Sequence, residues 1–337
     1  MKKITIEEHF TTQEHLDHLQ SILEGTYPVP EVMQEEKVLN LELPFLAPKV
    51  VENEVSRLLD IGEGRIKDMD EAGIDMQVLS LVSPGVQVFD APTGTALAKK
   101  INNKLYEAVN ANPERFAGFA SLAPQNPDDA AVELERAVKE LGLKGAIINS
   151  HVKGEYLDDK KYRVIFEMAD KLGVPIYIHP RVPSPRMVSP FLDYPVLSTV
   201  MSGFATEVSL HAMRLIVSGL FDQFPGLVII LGHLGEALPY WLWRFDNIWQ
   251  RRSHSHMLKK RPSDYIKKNF FVTTSGIFSQ PPLMCAYLAL GADRIMFAVD
   301  SPLESNEKAV RFMEEAPMCD RDKEKIYHKN VEELLGI

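Results

Sequence analysis

Four short segments that carry acidic or histidine side chains each follow an apolar run in the sequence. They are residues 7–9, 178–180, 232–236 and 299–302. Carboxylates and imidazoles bind divalent metals, and three of these segments supply such groups. If the apolar runs are parallel strands, their carboxyl ends meet at one end of a barrel, where barrel enzymes carry their active sites. The pattern therefore predicts a metal-dependent enzyme.

The candidate ligands stand at predicted strand ends. Glu7 and His9 are two positions apart, so in a strand they point the same way and can hold one metal, whereas Glu8 points to the other side. His179 ends a strand that has no charged residue. Asp300 follows five apolar residues, where a buried carboxylate requires a cation or hydrogen-bond donors. Surface or capping roles remain the structural alternatives at this point.

His233 and Glu236 form a candidate catalytic pair after the apolar run of residues 228–231. A glutamate in this position orients an imidazole and raises its basicity, as in histidines that transfer protons. A core histidine with a glutamate at a helix start is the structural alternative. Arg244, two helical turns beyond Glu236, either reaches over the site or pairs with an acid. Asn149, at the end of another predicted strand, either contacts substrate or forms a turn.

Strand-like and helix-like segments alternate through most of the chain. Several strand-like runs are apolar at consecutive positions, as in parallel strands that are covered on both faces. No GxGxxG or GxxxxGK[ST] motif follows the first strand, which disfavours an open nucleotide-binding sheet. We predict an α/β fold, a (β/α)8 TIM-type barrel that forms a single domain over residues 1–337.

The eight predicted strands are residues 3–7, 76–81, 116–122, 145–149, 175–179, 228–232, 270–274 and 295–300. The clearest predicted helices are residues 93–111, 127–141, 160–172, 197–220 and 237–249. Two long βα loops, residues 23–52 and 180–197, are rich in proline and aromatic residues, and we expect them to form pocket walls.

The composition limits the possible partners and locations. The chain has 337 residues, a hydrophobic fraction of 45% and a charged fraction of 25%, with no apolar stretch of membrane-spanning length. A net charge of -10 argues against nucleic acid as a partner. Cys285 and Cys319 have no CxxC or CxxH neighbour, so we expect free thiols. No signal-peptide apolar region follows the first residues, and we expect a cytoplasmic protein.

In order and spacing, these motifs resemble the amidohydrolase-related family that includes aminocarboxymuconate semialdehyde decarboxylase. Within that family, the chain looks most like the nonoxidative aromatic acid decarboxylases, such as gamma-resorcylate and 2,3-dihydroxybenzoate decarboxylase. Glu7-Glu8-His9 stands in place of the His-x-His of hydrolytic relatives, a departure that looks like the one in the benzoate decarboxylases. The motifs that carry the resemblance are residues 6–10, 178–181, 221–225, 231–236 and 300–302.

The resemblance implies a metal site and a catalytic pair. One divalent ion, Zn or Mn, would be bound by Glu7, His9, His179 and Asp300. His233 with Glu236 would serve in catalysis, and Arg244 would help define the pocket. A substrate with a carboxylate and an ortho hydroxyl would chelate the metal, which would fix its orientation. Asp300 is the first candidate for the proton donor and His233 for the group that handles the phenol proton, although the two roles are interchangeable at this stage.

The expected function is therefore that of a metal-dependent nonoxidative decarboxylase of a hydroxylated aromatic carboxylic acid, reversible at high bicarbonate. The alternative is a metal-dependent hydrolase or hydratase of a lactone or dicarboxylate, with Asp300 as the base for a water. A non-enzymatic binding protein is a third possibility. The expected partner is a small aromatic acid, with no nucleic acid and no membrane, and the resemblance implies a homodimer or homotetramer.

Overall fold

The structure is a computed structural model that describes residues 1–26, 52–252 and 257–337. Most of the long loop predicted at residues 23–52 lies outside these ranges. Within them, parallel strands follow one another around a barrel in chain order. The strand segments are β1 (Ile4–Phe10), β2 (Met76–Leu81), β3 (Phe116–Gly118), β4 (Ala120–Ser121), β5 (Ala146–Asn149), β6 (Ile176–His179), β7 (Ile229–Leu231), β8 (Phe270–Thr273) and β9 (Ile295–Met296).

Helices alternate with the strands and surround them. No helix of the described residues is both long and apolar enough to cross a membrane. Cys285 and Cys319 are free, as expected. The helices are Gln13–Leu23, Glu52–Leu59, Glu63–Ala72, Ala91–Ala111, Pro127–Lys139, Arg163–Leu172, Gly203–Val217, Leu220–Gln223, His233–Glu236, Leu238–Gln250, Pro262–Asn269, Gln280–Leu290, Asn306–Glu314, Asp320–Glu324 and Asn330–Leu335.

Backbone hydrogen bonds join two runs of paired strands, β1 to β3 and β4 to β9, into a ring. Phe119 alone separates β3 from β4, and its N–H bonds back to β2. At the other seam, the Asp300 N–H donates to the Glu7 carbonyl (2.9 Å), and the His9 N–H donates to the Ser301 carbonyl (2.6 Å). The predicted (β/α)8 barrel is therefore confirmed, with β3 and β4 as the two parts of its third strand.

The last strand is shorter than the predicted residues 295–300. It pairs only over Ile295–Met296, because the Phe297 N–H donates to the Ile326 carbonyl (2.8 Å) of the C-terminal segment. The Ala298 backbone then bonds to the hydroxyl of Thr274. The chain leading to Asp300 is thus held by the helical segment that carries Ile326, by the Thr274 side chain and by single backbone hydrogen bonds, such as that from the Gly276 N–H to the Val299 carbonyl (3.3 Å).

The helix predicted over residues 197–220 is also shorter, and it spans Gly203–Val217. A 3-10 turn over Pro195–Ser198 precedes it. A Cβ at Gly203 would lie 2.2 Å from the Ser198 carbonyl oxygen, so the junction between turn and helix requires a glycine.

A β-bulge in β1 places the candidate ligands in the barrel interior. Ile4 and Ile6 pack in the apolar cluster that fills the barrel. The register of β1 with β2 then shifts before Glu8. As a result Ile6, Glu7 and His9 all face the barrel interior, although regular alternation would put Ile6 and Glu7 on opposite faces of the strand. The bulge therefore brings an apolar floor and a polar site onto one face of a single strand.

Glu8 faces away from the interior and binds β1 to the segment that carries Asp300. Its carboxylate accepts from the N–H groups of Val299 (3.0 Å) and Ser301 (3.1 Å). Arg65 lies nearby and donates to the His9 carbonyl (2.6 Å). Burial raises the pKa of Glu8 to about 8, against these hydrogen bonds and the charge of Arg65.

We expect the Glu8→Gln variant to lose less folding stability than wild type as the pH rises. The folded-state pKa of about 8 exceeds the ordinary value of 4.5, so the folded protein binds the extra proton between these values. The contribution of Glu8 to stability is full below pH 4.5 and falls as the pH rises through 8. Between pH 5 and pH 8 the wild type should lose on the order of 3 kcal/mol relative to the variant. Urea unfolding of the metal-free proteins at both pH values measures this loss, and a pH-independent difference would contradict it.

Candidate metal centre

The four predicted ligands converge at the carboxyl ends of the strands. One ligand atom from each residue lies within 4.8 Å of the ligand atoms of the other three. Three of the residues are buried, and only Asp300 has partial solvent exposure. The four residues are Glu7, His9, His179 and Asp300.

The unpaired atoms of this cluster fit a divalent ion. Among the described residues, no hydrogen-bond partner reaches Glu7 Oε1, His9 Nε2 or Asp300 Oδ1, although all three atoms are buried. His9 Nε2 lies 3.0 Å from Asp300 Oδ1, but the pair lacks hydrogen-bond geometry. Buried polar atoms without partners require an explanation, and two carboxylates with two imidazoles are a suitable donor set for Zn or Mn.

His179 is suited to ligation by its protonation state. Its Nε2 lies 3.6 Å from Glu7 Oε1, and its ring meets that of His9 edge-on with the centroids 4.7 Å apart. Burial, together with the charge of His9, lowers the pKa of His179 well below its usual value. The imidazole is therefore neutral near pH 7, which is the form that binds metals.

Hydroxyl groups surround the second oxygen of Glu7. Its Oε2 accepts hydrogen bonds from Tyr177, from Thr273 (2.8 Å) and from Ser275. A Cβ at Gly232 would lie 2.8 Å from Oε1 and 2.9 Å from Oε2, so any side chain here would force the Glu7 carboxylate to shift. Burial raises the pKa of Glu7, and the positive charge of His233 opposes this rise.

Asp300 has an unusual backbone conformation, with φ at 80°. A non-glycine residue in this region is uncommon and marks a functional or strained position. The capping alternative does not apply, because the Ser305 side chain caps the following helix by accepting from the Lys308 N–H (3.3 Å). Burial raises the pKa of Asp300, but the polar contacts with His233 and His9 and the positive charges of these two residues outweigh it and hold the pKa well below the usual range.

His233 and Glu236 lie together in a tight turn that precedes the long helix. His233 Nδ1 lies 2.7 Å from Glu236 Oε1. Its other nitrogen, Nε2, is 3.7 Å from both Glu7 Oε1 and Asp300 Oδ2. Burial lowers the pKa of His233, but the charges of Glu236 and Glu7 outweigh it and hold the pKa well above the usual value. The predicted pair is thus adjacent to the metal cluster.

Asn149 and Arg244, the two predicted substrate contacts, occupy different surroundings. Asn149 pairs in register with His179 and is buried, and its Oδ1 has no partner among the described residues. Arg244 is exposed and lines a groove of about 560 Å³ on the outer helices, together with Met213 and Trp241. Both roles stay predictions.

Sequence reasoning missed the hydroxyl groups around Glu7. Tyr177 lies two positions before His179 on the same strand, so strand alternation alone places both side chains in the interior. Thr273, Thr274 and Ser275 form a run of hydroxyl residues at a predicted strand end, which is a second signal. The pairing of these side chains with Glu7 depends on strands that are far apart in sequence.

The fold and the site define a class of protein: a parallel barrel enzyme with a candidate mononuclear metal centre at the carboxyl ends of its strands. The chain belongs to the amidohydrolase family, whose profile matches residues 38–337. It is 38% identical to gamma-resorcylate decarboxylase of Polaromonas sp. strain JS666, and the match covers 99% of this chain and 98% of the relative.

Two solved structures are similar over the full length. The 5-carboxyvanillate decarboxylase of Sphingomonas paucimobilis superposes with a TM-score of 0.93 at 37% identity, covering 100% of this chain and 99% of that one. A dihydroxybenzoic acid decarboxylase of Polaromonas sp. JS666, with bound manganese and the inhibitor 2-nitroresorcinol, superposes with a TM-score of 0.88 at 38% identity, covering 99% and 97%. The expected family and barrel are confirmed.

We expect Gly232→Ala to weaken metal binding by about 10-fold or more, because the new methyl group displaces a carboxylate that three hydroxyls hold in place. The backbone at Gly232 has φ at −68°, so alanine causes no backbone strain there. Chelator competition with Mn²⁺ measures the dissociation constant. Gly62→Ala is the matched control, since its Cβ would meet only Asp60 Oδ1 at 3.5 Å. Equal affinity in both variants would contradict the expectation.

Proposed function

We propose that this chain is a metal-dependent nonoxidative decarboxylase of a hydroxylated aromatic carboxylic acid, and thus a carboxy-lyase. The observation that carries this proposal is the convergence of the four-residue metal cluster with the His233–Glu236 pair. Relatives that match nearly the full chain are decarboxylases of such acids. The Glu7-Glu8-His9 segment, in place of His-x-His, favours the same reaction.

Glu7, His9, His179 and Asp300 would hold one divalent ion. Manganese is the ion bound in the dihydroxybenzoic acid decarboxylase structure, which favours Mn over Zn among the two expected metals. When bound, the ion supplies positive charge that orients a chelating acid and stabilises its negative charge. The unpaired oxygen and nitrogen atoms of the cluster support this assignment.

The protein's own groups handle the protons. Decarboxylation requires a proton at the ring carbon that bears the carboxylate, after which the carbon–carbon bond breaks, its electron pair stays on the ring and CO2 leaves. We assign delivery of this proton to Asp300, which is ionised at rest and receives the proton from protonated His233 once substrate is bound. Glu236 holds Nδ1 of His233, so Nε2 faces Asp300 Oδ2 at 3.7 Å. His233 then recovers its proton from the phenol, and a proton from water returns the product to its phenol form.

Asn149 is our candidate for a direct substrate contact. Its amide is fixed at the end of β5 because Gln87 bonds to both the N–H (2.6 Å) and the carbonyl (3.1 Å) of its backbone. The Oδ1 atom lacks a partner among the described residues and lies beside the strand end of His179. A phenolic hydroxyl of the substrate would supply the missing donor.

We expect Asp300→Asn to abolish turnover while the barrel persists. Loss of a positioned acid typically costs about 100-fold to 10,000-fold in rate. The assay follows CO2 release from a panel of hydroxybenzoates after reconstitution with Mn²⁺, and circular dichroism reports the fold. Asp293→Asn, at an exposed aspartate that pairs with Lys325, is the control.

Two results would count against this mechanism or this function. Near-normal turnover by Asp300→Asn would assign the acid to another residue. Metal-loaded wild type that releases no CO2 from any substrate in the panel would overturn the decarboxylase proposal.

We also propose that the protein self-associates through the helix Leu238–Gln250. Tyr240 and Trp243 on this helix are 72% and 75% exposed, and large exposed aromatic side chains that cluster on one face mark interaction sites. The same helix also carries a groove, lined by Trp241, Phe245 and Arg244 among others, with Met213 from the neighbouring Gly203–Val217 helix. In a two-fold dimer, an exposed aromatic face of this kind packs against the same face of a second copy.

We expect Trp243→Glu to shift the protein toward monomer, since a charged side chain opposes burial of this face. Sedimentation velocity of wild type and variant at equal concentration measures the change in mass. Leu288→Glu is the control, because Leu288 is 80% exposed on a different helix. A wild-type monomer, or a variant with unchanged mass, would show that this face is not the interface.

A further inference from the structure

We propose that three hydroxyl groups occupy one oxygen of Glu7 through hydrogen bonds, so that Glu7 offers only its other oxygen to the metal. The hydroxyls thereby set the metal affinity of the site. The three donors are Tyr177, Thr273 and Ser275. They are positioning residues, because they contact a ligand rather than the ion or the substrate. The inference rests on the proposed function, since it assumes a metal at this cluster.

The two oxygens of Glu7 have opposite surroundings. Oε2 accepts from all three hydroxyls, whereas Oε1 has no hydrogen-bond partner among the described residues. Oε1 lies on the side of the cluster, 3.6 Å from His179 Nε2. One oxygen of the carboxylate therefore accepts hydrogen bonds from the protein, and the other faces the remaining candidate metal ligands.

The hydroxyls also contact one another and form a continuous chain. Thr273 Oγ1 lies 3.3 Å from the Tyr177 hydroxyl and 2.9 Å from Ser275 Oγ. Ser275 Oγ accepts from the His233 N–H (3.1 Å), which leaves its proton available to Glu7. One chain thus connects β6, β8 and the turn that carries His233.

The carboxylate cannot readily turn to present both oxygens. Gly232 closes its other side, where even a methyl group would lie within 2.9 Å of Oε2. Turning Oε2 toward the cluster would break hydrogen bonds to buried hydroxyls and leave them unpaired. Hydrogen bonds to a ligating carboxylate fix its orientation, and their loss typically weakens metal binding by about 10-fold to 100-fold.

A merely structural role for the hydroxyls predicts a different outcome. Burying a carboxylate requires donors, so loss of a hydroxyl could destabilise the barrel without changing the metal site. Tyr177→Phe keeps the ring, which packs near Phe119 with the centroids 6.1 Å apart. Thr273→Val keeps the shape of the side chain. Both variants remove the hydrogen bond while they conserve the packing.

The test compares Mn²⁺ affinity and the Mn²⁺ paramagnetic resonance spectrum of wild type, Tyr177→Phe and Thr273→Val. We expect each variant to bind Mn²⁺ about 10-fold to 100-fold more weakly and to show an altered spectrum when loaded. Tyr327→Phe is the matched control, because the Tyr327 hydroxyl is buried and has no partner among the described residues. It should match wild type in both measurements.

The outcomes separate this inference from the proposed function. If wild type binds no Mn²⁺, the metal site itself is refuted. If wild type binds Mn²⁺ while Tyr177→Phe and Thr273→Val keep its affinity within about twofold and keep its spectrum, only the role of the hydroxyls is refuted. Thermal unfolding of the metal-free proteins shows whether a variant is folded, and Thr273→Val decides the question if Tyr177→Phe is not.

Discussion

Glu7, Glu8 and Asp300 bring three carboxyl groups to one end of this barrel, the first two buried and the third partly exposed, and the site follows from how each is stabilised. Glu7 receives hydroxyl donors at one oxygen, Glu8 receives two backbone N–H groups, and Asp300 lies beside two histidines. An ionised carboxylate without such partners is too costly to bury. Because the donors come from different strands, each carboxylate also connects parts of the barrel that are distant in sequence. The charged groups therefore both form the site and join the seam where the barrel closes.

The bulge in β1 resolves a conflict between packing and chemistry. The barrel needs apolar side chains such as Ile4 and Ile6 at its floor, and it needs Glu7 and His9 at its mouth, all on one face of one strand. Strict alternation cannot supply both, because Ile6 and Glu7 are adjacent. The register shift before Glu8 lets two successive residues, Ile6 and Glu7, face the interior, so that Glu8 faces outward. Bulges next to active sites commonly redirect a side chain in this way.

Much of the fold and of the candidate ligand set could be predicted from the sequence, because both depend on local pattern. Apolar runs predict the strands, and an acidic or histidine residue directly after such a run predicts where a strand reaches the candidate metal site. His179 and Asp300 were identifiable on this basis alone. Three elements were wrong in extent: β1, predicted to end at Glu7, runs to Phe10, and the last strand and the helix that begins at Gly203 are shorter than predicted. The last strand ends early because Phe297 bonds to a distant partner, the Ile326 carbonyl. The hydroxyl chain around Glu7 escaped prediction for the same reason.

Strained backbone accompanies the two residues that we propose as proton carriers. His233 and Asp300 both have positive φ, at 51° and 80°. In this conformation each side chain leaves the strand end at an angle that regular strand or helix geometry does not provide, and the surrounding hydrogen bonds maintain it. The His233 N–H donates to Ser275 and the Asp300 N–H donates to the Glu7 carbonyl, so backbone contacts connect both proposed proton carriers to the candidate metal cluster. Their separation is therefore set by the barrel itself rather than by flexible side chains, which is the condition for efficient proton transfer at a fixed distance.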